Sequence, residues 1–153
     1  MSTPMPTPAP GAARLPDWMP RLSAVMARYR DLPFAWGRAD CCLFAADCVQ
    51  AVTGRDLMAD HRGGYASERD ALRALQALGG LVNGAVDRLG PVIRTDLAQP
   101  GDVGLVLLGG RQSLAVCCGQ HFMAPGPQGL VVIHLPDVLR AWRCPASAGV
   151  AHG

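Results

Sequence analysis

The chain has 153 residues, half of them hydrophobic and 5% aromatic, enough apolar material for one domain with an aliphatic core. Its net charge of +2, from 14 Arg and no Lys set against 12 acidic residues, predicts no long-range attraction to nucleic acid or anionic lipid. No basic start followed by a long apolar run is present, so neither a signal peptide nor a membrane span is expected.

Residues 1–16 form an arm with Pro4, Pro6, Pro8, Pro10 and Pro16. Proline at this density forbids helix and sheet and favours an extended backbone. The arm is expected to be an assembly tether. From residue 18 to about 29, Trp18, Leu22, Val25, Met26 and Tyr29 recur at helical spacing, with Asp17 as the expected N-cap. The loop 30–39 contains Pro33 and Gly37, and a second helix should run from Cys41 to about Thr53, stopped by Gly54. That helix is apolar almost all round, so it should be central and buried, with Asp47 facing a partner or the surface.

Ser67 is the expected cap of a third helix whose stripe is Ala71, Leu72, Leu75 and Leu78, and a short fourth helix spans about 81–89. After Pro91 the pattern changes to short apolar strands joined by Gly- and Pro-rich turns: 103–108, 113–118, 121–124 and 130–135, with a last strand containing Trp142. Helices first and then a meander predict an α+β fold with an antiparallel sheet. The domain is read as 17–145, and 146–153 as a C-terminal tail.

The segment carrying the chemistry is Pro33-Phe34-Ala35-Trp36-Gly37-Arg38-Ala39-Asp40-Cys41-Cys42-Leu43-Phe44. Asp40 can cap the second helix, which places Cys41 at its first position. Unpaired N–H groups and partial positive charge there stabilise an anion, and thiolate is the reactive form of cysteine. Of the six cysteines, Cys48, Cys117, Cys118 and Cys144 read as small buried hydrophobes. Their spacing is not that of a metal site or a disulfide framework, and neither a metal nor another cofactor is expected.

With Phe34, Trp36, Gly37, Asp40, Cys41 and Phe44 in that order, and Pro100-Gly101-Asp102 before an apolar strand, the chain resembles the NlpC-type papain-like cysteine peptidases of the cell wall. It resembles more closely still a small subfamily encoded in the tail-gene clusters of bacteriophages and prophages. The resemblance implies a papain-like fold and a virion location in the phage tail, after synthesis in the host cytoplasm. The partners it implies are other tail-tip proteins, of the hub or central fibre, and peptidoglycan. It places the nucleophile at Cys41, and the base at Ser113, which cannot take a proton from a thiol and is expected to be non-functional. The orienting group falls near Met123. His121 is the candidate substitute base, with His61 and His134 the other histidines weighed. The expected function is therefore a tail assembly or tail-tip structural protein, a pseudoenzyme on a peptidase fold. The alternative is an active cysteine peptidase or amidase that opens host peptidoglycan.

Overall fold

A computed structural model describes residues 14–144. The order is α1 (Trp18–Tyr29), α2 (Cys41–Thr53), α3 (Glu68–Ala77), α4 (Leu81–Arg88), β1 (Val92–Ile93), β2 (Val103–Leu108), β3 (Arg111–Cys117), β4 (His121–Gly126), β5 (Gly129–His134) and β6 (Arg140–Trp142). Short 3-10 turns follow β1 (Thr95–Leu97) and β5 (Leu135–Asp137). The six strands form one sheet in the order β1-β6-β2-β3-β4-β5, with every pair antiparallel. The fold is α+β, helices first.

Strand alternation divides the core into two clusters. Val103, Leu105, Leu114, Val116 and Trp142 face the helices and pack with Phe44, Cys48, Val49 and Val52 of α2. Val106, Ala115, Cys117, Phe122 and Ala124 face the other way, where Ala98, Leu135 and Val138 close over them. Helix α2 lies in the middle of the first cluster, as its all-round apolar sequence predicts. Phe44 and Val52 have no exposure, and Phe44 meets Tyr29 of α1 edge to face at 4.9 Å. Gly54 ends α2 in the left-handed conformation (φ 84°), and its N–H returns to the Gln50 carbonyl.

Several elements depart from the sequence reading. Asp17 stands at the N-cap of α1 but its side chain makes no capping bond; the Leu15 carbonyl accepts the Trp18 N–H instead. β1 was not expected, because two residues carry no periodicity. The 125–129 loop is a tight hairpin with Gly126 opposite Gly129, so β4 and β5 both extend into it. Leu72 of the expected α3 stripe is half exposed, and Ala71 is the buried residue of that helix. Asp47 of α2 is held within the chain: it accepts from Tyr29 Oη at 2.6 Å, Arg28 at 2.8 Å and Arg62 at 2.6 Å.

The boundary between arm and domain also moves. Arg14 donates to the Cys144 carbonyl, the Pro100 carbonyl and Asp102 Oδ1, and lies over the Trp18 ring at 4.3 Å. The Leu15 N–H reaches the Val52 carbonyl at 2.7 Å. Residues 14–16 are therefore part of the fold. The tether expected of the arm and the tail at 146–153 lie outside the described residues.

Candidate active site

Asp40 builds the start of α2. Its carboxylate is buried and accepts the Leu43 N–H at 2.9 Å, the Gly37 N–H at 2.9 Å and the Tyr65 hydroxyl at 2.7 Å. One side chain thus satisfies a free helix donor, closes the Trp36-Gly37 turn and ties in the loop before α3. Gly37 has φ 79°, and a Cβ there would overlap the Tyr65 carbonyl, so this close approach admits only glycine. Burial, then the bond to Asp40, raises the Tyr65 hydroxyl well above its ordinary range, so it stays a donor.

Cys41 follows at the first helical position and is half-buried. The neighbouring Cys42 thiol, then the Leu114 backbone of β3, hold the Cys41 thiol below its ordinary range despite its burial and the nearby Asp40 charge. Cys42 is raised well above the ordinary thiol range by the neighbouring Cys41 thiol and by burial. A thiolate at Cys41 is thus stabilised by a neighbouring thiol and by backbone donors. Among the described residues no imidazole is among the groups that shift it.

Cys41 borders a cavity of about 390 Å³ between α2, α3, α4 and the start of β3. Its walls are mostly aliphatic, from Ala45 and Val49 of α2, Leu57, Leu75 of α3, and Leu81 and Leu89. Trp36, Tyr65, His61, Arg88 and Arg111 supply the aromatic and polar lining. Trp36 is held from both sides, by Phe34 edge to face at 4.8 Å and by the Arg111 guanidinium at 5.2 Å.

The aligned base position, Ser113, also borders the cavity, but it stands opposite Val106 and shares the parity of Ala115 and Cys117 in the second cluster. Arg111 has the same parity and still reaches the cavity at this end of β3, over Trp36 and beside Glu68. The β3 positions on the helix side are Gln112, Leu114 and Val116. Met123 does face the helices, paired with Val116.

His121 lies at the β3–β4 turn, where its carbonyl accepts the Cys118 N–H, and is not part of the cavity wall. By strand rise it is roughly 13 Å along the sheet from Leu114. His134 stands opposite His121 on β5. The histidine that does reach the Cys41 cavity is His61, from the loop between α2 and α3.

Asp102 has no exposed surface. It accepts from Arg143 at 2.8 Å, Arg14 at 3.2 Å, and the N–H groups of Gln99 and Cys144, both at 2.8 Å. The Pro100-Gly101-Asp102 turn is therefore a clamp that joins the start of β2 to both ends of the described chain. It does not touch the Cys41 cavity. Among the described residues no group of three or more His, Cys, Asp or Glu is placed to hold a metal ion.

A family model described as a domain of unknown function (DUF6950) matches residues 13–144. The chain belongs to this family. The DUF6950 match begins one residue before Arg14 and ends at Cys144, so the Asp102 clamp and the Cys41 cavity both fall inside it. The comparison with curated proteins gives no match. Among the described residues no helix is long and apolar enough to cross a membrane.

Sequence reasoning missed the contribution of α3 and α4 to the cavity, the effect of Cys42 on the Cys41 thiol and the Arg14 clamp. Tyr65 carried a signal, a lone tyrosine after Gly63-Gly64 downstream of the Cys41 motif, but its partner Asp40 was not legible from spacing.

Proposed function

We propose that this DUF6950 chain is a bacteriophage tail assembly or tail-tip protein, built on a papain-like fold of the NlpC type and without peptidase activity. One observation supports the inactive reading: the stretch of β3 that borders the Cys41 cavity, Arg111 to Leu114, holds no imidazole. Amide cleavage by a thiol needs a base to take its proton and an acid to protonate the leaving amine. A helix start and a neighbouring thiol supply neither a proton acceptor of the right strength nor a donor at the amine. The tail location rests on the resemblance of the 33–44 motif and the Pro100-Gly101-Asp102 turn to the phage subfamily. In this reading the virion partners are other tail-tip proteins.

The test is paired. Purified protein is assayed on peptidoglycan peptides beside Cys41→Ala, and both proteins are assayed for incorporation into tails. The proposal expects equal, background-level turnover and normal incorporation of both. Turnover that Cys41→Ala abolishes would replace it with the hydrolase reading.

A second reading is kept because His61 shares the Cys41 cavity. In it the chain is a cell-wall peptidase or amidase with Cys41 as nucleophile and His61 as base, supplied from a loop rather than from the strand. It requires that His61→Ala and Cys41→Ala each abolish turnover.

A further inference from the structure

We propose that the cavity at Cys41 is an acyl-binding site, and that Cys41 accepts an acyl group by exchange with a thioester whose carrier is anionic. The cavity has the volume of a small-ligand site and walls that offer an alkyl chain aliphatic contact from three helices. Arg88 and Arg111 line it, and the one carboxylate in the wall, Asp40, is buried and already accepts three hydrogen bonds. Arg111 sits on the exposed side, paired with Glu68 at 2.6 Å, and Arg88 donates to the Gly84 carbonyl. An apolar interior beneath guanidinium groups suits a ligand with an alkyl tail and an anionic head.

The absence of an imidazole on β3 selects which acyl donors can react. An amide must have its nitrogen protonated before the bond breaks, and β3 offers no group to do this. A thioester releases a thiolate, which is a competent leaving group without prior protonation. The Cys41 sulfur would attack the thioester carbonyl carbon, forming a carbon–sulfur bond as the bond to the carrier sulfur breaks. The Cys41 proton goes to solvent, and the released carrier thiolate takes one up; no oxidant or reductant is required. The product is one acyl group on Cys41 with its chain in the cavity.

This inference rests on the reading of Cys41 as a thiol without a base but not on the tail location: acylation is read on the purified chain, amide turnover and tail incorporation in separate assays. The probes are octanoyl-CoA and acetyl-CoA, and the readouts are intact mass, peptide mapping and release by hydroxylamine. The expected result is one hydroxylamine-labile octanoyl group on Cys41, formed at least about tenfold faster than the acetyl adduct because the longer chain buries more apolar area. Leu72→Glu, an exposed position at the cavity rim, should slow labelling several-fold by opposing the anionic carrier. Cys41→Ala should remove the adduct. No adduct, equal rates for the two donors, or octanoyl groups spread over Cys118 and other thiols would each overturn the proposal.

Discussion

Removing the Asp40 carboxylate tests how the start of α2 is built. In Asp40→Ala the Leu43 and Gly37 N–H groups and the Tyr65 hydroxyl all lose their partner. Loss of a helix N-cap costs about 1 kcal/mol. A buried hydroxyl left unpaired costs roughly 1–3 kcal/mol, and a bond from a backbone N–H to a charged acceptor is worth about 1.5 kcal/mol or more. Allowing for water reaching the Gly37 turn, the sum is roughly 3–4 kcal/mol, a large part of the ~5–15 kcal/mol that holds a domain of this size. Urea denaturation monitored by Trp fluorescence should show the midpoint fall with an unchanged slope. Tyr65→Phe alone should cost about 1 kcal/mol. The two changes together should cost less than their sum, because each removes the same bond. A loss below about 1 kcal/mol for Asp40→Ala, or strict additivity with Tyr65→Phe, would refute the reasoning.

Other outcomes follow from the same contacts. Iodoacetamide labelling of Cys41 should have its pH midpoint below that of an ordinary thiol, and Cys42→Ala should move it upward, because the Cys42 thiol is the largest cause of the shift; an unchanged midpoint contradicts this. Leu114→His should create a thiol–imidazole pair that labels at still lower pH, because Leu114 packs on the helix side of β3 and borders the Cys41 cavity. Burial raises the Cys144 thiol to about 12 from an ordinary 9.0. The unfolded chain therefore loses this proton first. The contribution to stability is full below about pH 9 and falls by roughly 4 kcal/mol as pH rises toward 12. Cys144→Ala should flatten that part of the alkaline unfolding curve. Arg14→Ala should destabilise by roughly 1–3 kcal/mol through Asp102, while deletion of residues 2–13 should leave thermal stability unchanged and reduce incorporation into tails. Normal incorporation after that deletion removes the tether.

Periodicity and punctuation carried the fold. The largely apolar run 41–52 closed by Gly54, and Ser67 before Glu68, located α2 and α3 because capping and burial are local or periodic properties. β1 and the hairpin at 126–129 escaped because their existence depends on the partner strand. The site was partly legible: Cys41, Asp40 and Trp36 announce themselves within one motif. The side of a strand cannot be read reliably when both faces are apolar, as in Ser113–Cys117, where a one-residue shift exchanges Ser113 for Leu114. The cavity wall contributed by Leu57, Leu75 and Leu81 is tertiary, and no local pattern marks it.

The central claim is that Cys41 is a stabilised thiol without a base, and the most direct measurement is turnover of defined peptidoglycan peptides by the wild-type chain, Cys41→Ala and His61→Ala at matched concentrations. The account predicts the same background rate for all three. A wild-type rate well above background that disappears in both variants would contradict it.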